Sequence, residues 1–152
     1  MSVIARAEGT VTGTPAQVFA KFIDFRNWRY FMPWQFRPVS GPERALRPGD
    51  RVRARLDVGP LRIVVPVDVF EVSSPAQIVW GGGNALLHAR HVFRFEPTPA
   101  GTRIDSEETW TGALARVSPL GARVRRQAES VGRAQLDGFT RWMDAEAARA
   151  VR

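Results

Sequence analysis

From Asp50 onward the apolar residues of this chain recur at every second position, and over residues 114–150 they recur every three or four. That change of period constrains the fold more than any other feature. In residues 51–58, Val52, Ala54, Leu56 and Val58 share one face, while Arg51, Arg53, Arg55 and Asp57 share the other. This is the pattern of an antiparallel strand with one face buried. Gly59-Pro60 then turns the chain into a second strand with Leu61, Ile63, Val65, Val67 and Val69 on one face. Pro66 marks an edge position or a bulge in it. Ile78–Trp80 makes a shorter strand, Gly81–Asn84 reads as a hairpin turn, and two long strands follow.

After them, Ser118-Pro119 reads as a helix start. Leu120, Val124, Ala128, Val131, Gln135, Phe139, Trp142 and Met143 then mark one face of a long amphipathic helix, expected from about Pro119 to Ala148. Gly121, Gly132 and Gly138 cost such a helix about 1 kcal/mol each relative to alanine, and close approach to the sheet would account for one or two of them. At the other end of the chain, residues 3–11 alternate weakly as a strand. Thr14, Pro15 and Gln17 then supply a capping box and a first-turn proline. Val18, Phe19, Phe22 and Ile23 follow at helical spacing, and a second short helix over Phe25–Phe31 ends before Pro33. The expected class is α+β: a curved antiparallel sheet, two short helices after its first strand, and one long helix closing the apolar face.

The last two strands can be put in register by charge. If paired residue numbers sum to 199, Glu96 faces Arg103 and Arg94 faces Asp105 on the outer face, around a loop at Thr98–Gly101. A shift by one residue would put charges on the apolar side. The same register sets Phe95 against Ile104, Phe93 against Ser106 and His91 against Glu108, all facing inward. A buried carboxylate is rare without a partner. His91 and Glu108 therefore read as an adjacent pair, either mutually satisfied within the core or offered to a ligand in an otherwise apolar pocket.

The segment Phe22–Trp34 raises a separate question, because it holds six aromatic residues in thirteen positions. Phe19, Phe22 and Ile23 match a core stripe. Trp28, Phe31 and Trp34 are surplus to it and are expected to line the entrance of a cavity.

Composition narrows the chemistry. The 152 residues suit one domain over 1–152, and 44% hydrophobic with 24% charged residues suits a folded soluble chain. Cysteine is absent, which excludes disulfides and thiolate chemistry. No apolar run approaches the roughly 18–20 residues of a membrane span. The first residues carry charges early, with no signal-peptide core, so a cytoplasmic location is expected. No H-x-x-x-H or similar spacing points to a metal, and no cofactor is expected. The net charge is +7, but Lys21 is the single lysine among 22 basic residues. Such a skew toward arginine, alongside abundant Ala, Gly and Pro, is what a GC-rich coding sequence produces without selection for a polyanion.

The order of elements resembles the START-like helix-grip (SRPBCC) superfamily, as do the stretches Asp24–Trp34, His91–Pro97 and Gly101–Gly112. That superfamily includes polyketide cyclases and aromatases, lipid-transfer domains and coenzyme Q-binding proteins. The resemblance covers nearly the whole chain and implies a hydrophobic cavity between the sheet and the long helix, with the short helices and the following loop at its mouth. On this sequence the implied mouth is Trp28, Phe31, Met32 and Trp34, and the family's inward histidine and glutamate correspond to His91 and Glu108. Pro33-Trp34 is similar to the quinone-binding branch, while the arginines of residues 51–55 read as facing outward.

The expected function is binding of a hydrophobic small molecule, such as a lipid, polyketide or quinone. Its contacts are expected from Trp28, Phe31, Trp34, Val52, Leu56, Val65, Trp80, His91, Phe93, Ser106, Glu108, Trp110, Gln135 and Phe139. Two alternatives compete with it. One is a cyclase or dehydratase using the His91–Glu108 pair as a proton shuttle, since a His–carboxylate pair can be tuned near neutral pH. The other is a basic interaction module on RNA or in transient contact with an anionic membrane, carried by Arg116, Arg123, Arg125, Arg126 and Arg133. Without interleaved aromatics, those arginines read first as a solvated helix face.

Overall fold

Seven strands form one antiparallel sheet in a computed structural model that describes residues 3–58, 60–117 and 119–152. The strands are β1 (Val3–Val11), β2 (Phe36–Ser40), β3 (Arg51–Val58), β4 (Leu61–Ser73), β5 (Gln77–Gly83), β6 (His88–Thr98) and β7 (Gly101–Thr111). Their order across the sheet is β1-β7-β6-β5-β4-β3-β2. Helix α1 (Pro15–Ile23), a 3-10 turn (Phe25–Asn27) and helix α2 (Trp28–Phe31) follow β1, and helix α3 (Leu120–Ala150) closes the inner face. This is the helix-grip arrangement. The expected turn at Gly59 and helix start at Ser118 lie outside the described residues.

Helix α1 begins where its capping box requires. Gln17 N donates to Thr14 Oγ1 at 3.3 Å, and Thr14 N donates to Gln17 Oε1 at 3.0 Å. Its apolar stripe, Val18, Phe19, Phe22 and Ile23, is fully inside. The Phe22 ring stands at the centre of the aromatic core, with centroids 4.8 Å from Phe93, 5.1 Å from Phe139, 5.4 Å from Phe95 and 5.9 Å from Trp80.

The β6–β7 ladder has the register derived from charge: Glu96↔Arg103, Arg94↔Asp105, Phe93↔Ser106 and His91↔Glu108. Pairing continues to Thr98↔Gly101, so the loop shortens from four residues to the two-residue turn Pro99-Ala100. Arg103 does not close on Glu96. It reaches Asp105 at 3.0 Å and Glu8 of the neighbouring strand at 3.3 Å. A surface guanidinium of this kind contributes little to stability whichever carboxylate it takes.

Three local expectations change. Gly81–Gly83 form the end of β5, paired with Arg90, Ala89 and His88, and not a turn. A Cβ on Gly81 would collide with the Ala89 carbonyl, so the glycine permits a close strand approach. Leu61 and Ile63 are exposed, unlike Val67 and Val69 further along the same strand. The last β4–β5 pair at that end is Asp68↔Gly81, so residues 61–64 project beyond β5 with no strand beside them on that side. Pro66 also lies just past that pair, where a missing N–H costs the β4–β5 ladder nothing. Strand β2, interrupted by Pro38 and with mostly exposed residues, carries too little alternation to read from sequence.

Helix α3 runs two residues past its expected end and buries Ala128, Gln135, Leu136 and Phe139. Gly132 lies over Ser106 and Ala7 of the sheet. Gly138 instead faces α2, where any Cβ would overlap the Phe31 carbonyl. One of the helix glycines is thus accounted for by a helix neighbour instead of the sheet.

Candidate ligand site

The inner face of β6 and β7 carries a polar cluster inside an aromatic wall. His91 is buried and its ring stacks on Phe93, centroids 4.0 Å apart and planes 24° from parallel. Lying back over Phe93, the imidazole turns toward Phe93's cross-strand partner, and Nε2 lies 2.6 Å from Ser106 Oγ. Glu108, directly opposite His91 in the ladder, comes only within 3.9 Å of Nδ1. The two expected partners are adjacent, but the hydrogen bond belongs to the diagonal pair. Diagonal contacts of this kind are within reach of larger rings.

Burial drives both groups toward their uncharged forms. It lowers the His91 pKa to about 3. It raises Glu108 to about 8, an effect offset in part by the indole N–H of Trp110 turned toward the carboxyl. At neutral pH a neutral imidazole therefore faces a largely protonated carboxyl group, the state that desolvation favours when no counter-charge is in contact. Two further buried polar atoms, one on β7 and one on α3, complete the description. Trp110 Nε1 and Gln135 Oε1 are buried without a partner at hydrogen-bond geometry. Buried polar groups almost always have one.

Exposure on the inner face rises toward one end. Val52 and Ala54 on β3 are sealed, while Leu56 is partly exposed; Val69 and Val67 on β4 are sealed, while Val65 is partly exposed. On β7, Ser106 is buried whereas Glu108 and Trp110 are not fully so. Each strand thus loosens toward the projecting end of the β3–β4 hairpin. There Gln127 of α3 donates to the Asp57 carbonyl at 3.3 Å, tying helix to hairpin.

Of the four residues expected at a mouth, Trp28, Phe31 and Met32 are buried. Trp28 is fully buried, donates from Nε1 to the Phe22 carbonyl at 3.0 Å and packs on Trp80 at 4.9 Å. Phe31 is wedged between Phe22 and Phe139, at 5.6 and 4.8 Å. Of the three surplus aromatics, Trp34 alone is at the surface, 63% exposed. It lines a separate outer cleft of about 540 Å³ between the α2 end and α3, together with Tyr30, Met32, Gln35, Arg141 and Trp142. Sequence reasoning missed Tyr30, Gln35 and Arg141, which have no periodicity to mark them. Trp80, Phe93 and Phe139, expected as cavity walls, all meet Phe22 in the packed core.

A curved antiparallel sheet gripped by one long helix, with a few buried polar groups on its inner face, defines the helix-grip class of folds. The chain belongs to the family described as polyketide cyclase / dehydrase and lipid transport, whose model matches residues 2–149. No curated protein matches the chain significantly. Among solved structures it is similar to a protein of unknown function from Staphylococcus aureus, with TM-score 0.74, 9% identity and 97% of each chain covered. It is also similar to the di-domain ARO/CYC StfQ of the steffimycin biosynthetic pathway: TM-score 0.74, 17% identity, covering 97% of this chain and 53% of that one. A Nitrosomonas europaea protein gives TM-score 0.69 at 12% identity, with 96% of this chain and 97% of that one covered. At such identities the likeness extends to the fold. Among the described residues no group of three or more His, Cys, Asp or Glu could hold a metal ion.

Proposed function

We propose that this chain binds an uncharged hydrophobic small molecule bearing carbonyl or hydroxyl groups, held between the inner sheet face and α3. The observation that carries the reading is that Trp110 Nε1, turned toward the uncharged Glu108 carboxyl, and Gln135 Oε1 on the buried side of α3 both lack a partner at hydrogen-bond geometry. An N–H and a protonated carboxyl are donors for a ligand carbonyl, and an amide oxygen accepts from a hydroxyl. Leu56, Val65 and the Trp110 ring supply the apolar contacts. A carboxylate ligand would enter a site with no cation among these side chains, which favours a neutral lipid, polyketide or quinone.

The family description, polyketide cyclase / dehydrase and lipid transport, is consistent with such a ligand. The test is tryptophan quenching by anthraquinone and by anthraquinone-2-carboxylate, with native mass spectrometry of the purified protein for co-purified ligand. The neutral compound should bind at least about tenfold more tightly, the scale of one unpaired buried charge. Equal affinities, or none, would remove the reading.

A second reading, cyclase or dehydratase chemistry, is favoured by one observation. The Glu108 carboxyl titrates at about 8, close to working pH, beside a neutral imidazole. General acid–base catalysis needs a group so placed. Turnover of a poly-β-ketone that is lost in Glu108→Gln while binding persists would select it over simple carriage.

A further inference from the structure

Among the described residues eleven large apolar side chains are markedly exposed, and six of them, Leu61, Ile63, Val64, Leu86, Leu114 and Val117, gather on three segments at one end of the sheet. Leu61–Val64 is the projecting part of the β3–β4 hairpin, Leu86 is in the β5–β6 turn, and Leu114 and Val117 precede α3. The last two segments are joined by Leu114 N donating to the Leu86 carbonyl at 2.9 Å. The hairpin is tied to the N-terminal half of α3 through Gln127 and Asp57. The six side chains therefore form one fringe. It surrounds the end toward which exposure on the inner face rises.

The charge around this fringe is one-sided. Residues 58–67, 82–91 and 109–128 contain no aspartate or glutamate, while Arg62, Arg90, Arg116, Arg123, Arg125 and Arg126 are present and exposed. The carboxylate at the hairpin, Asp57, is buried between Arg55 at 3.4 Å and Arg62 at 4.0 Å. Exposed aliphatic clusters of this kind mark interaction sites. Leucine, isoleucine and valine on separate turns, ringed by cations, suit a fluid apolar layer beneath an anionic surface. Such a surface attracts each nearby arginine. Among the described residues no helix is long and apolar enough to cross a membrane.

We propose that this end of the molecule docks reversibly on an anionic lipid bilayer, with the hairpin and the β5–β6 turn inserted to the depth of the headgroup boundary. The proposal stands apart from the ligand reading, because docking is measured without any bound ligand.

The full chain is tested by co-sedimentation with phosphatidylcholine vesicles and with vesicles in which roughly one lipid in three is phosphatidylglycerol. Binding is expected to the anionic vesicles, weakened about tenfold or more by neutral lipid or by about 0.5 M salt, which collapses the screening length. Leu61 and Leu86 are 62% and 58% exposed, so Leu61→Asp with Leu86→Asp should fold, as far-UV circular dichroism would verify, and bind about tenfold less tightly or worse. Arg123→Glu with Arg126→Glu reads the same surface by charge and should weaken binding similarly. Ala100→Asp, at an exposed position of the β6–β7 turn at the other end of the sheet, should bind as the parent does. Absence of vesicle binding, equal binding to neutral vesicles, or loss through Ala100→Asp alone would overturn the proposal. So would concentration-dependent self-association abolished by the double aspartate variant, which would assign the fringe to a second copy of the chain.

Discussion

His91 Nε2 sits 2.6 Å from the Ser106 hydroxyl, across the strand pair and one step along it, with both side chains buried. This contact anchors the imidazole and leaves Nδ1 turned toward Glu108 without a hydrogen bond. Ser106→Ala should therefore strand a buried ring nitrogen and destabilise the protein by about 1–3 kcal/mol in urea unfolding. An unchanged midpoint would mean that the bond contributes nothing.

The same burial produces a pH signature. His91 is depressed from 6.5 to about 3, so its contribution to stability is present above pH 6.5 and is lost as pH falls toward 3. Glu108 is raised from 4.5 to about 8, so its contribution is present below pH 4.5 and is lost as pH rises toward 8. The two slopes cancel between 4.5 and 6.5. From pH 6.5 to 8 the parent should lose up to about 2 kcal/mol relative to Glu108→Gln. Parallel stability curves for the two proteins over that range would refute the assignment.

Two aromatics from one segment should behave oppositely. Phe22, in contact with five other rings, should cost about 3–5 kcal/mol when replaced by alanine. Trp34, at the surface, should cost within about 0.5 kcal/mol. Thermal unfolding of the two variants separates core from surface in the segment 22–34.

Trp110→Phe removes a buried donor that is turned toward Glu108 but meets no partner at hydrogen-bond geometry. Stability should stay within about 1 kcal/mol of the parent, because no protein hydrogen bond is lost. Affinity for anthraquinone should nonetheless fall. A variant destabilised by several kcal/mol would show that the indole N–H is satisfied within the protein and is not free for a ligand.

Several features of the fold are legible in the sequence. The period-two alternation determined which residues of β6 and β7 face inward, and opposite charges across the hairpin determined the register that sets His91 against Glu108. The Thr14–Gln17 capping box marked the start of α1, and the amphipathic stripe marked α3 as one continuous helix. These are local or pairwise relations, carried by residues a few positions apart or across a single turn.

Tertiary structure decided what covers each face. Alternation cannot tell Val67, beneath the rest of the core, from Ile63 on the same face, 44% exposed where β4 outruns β5. Nor can it tell that Trp28 is sealed against Trp80 while Trp34 is left in solvent. The choice of Ser106 over Glu108 as the imidazole's partner came from the stacking of His91 on Phe93, a packing relation between rings. Period assigns a side chain to a face. Burial depends on where strands end and helices cross, and those are properties of the whole assembled chain.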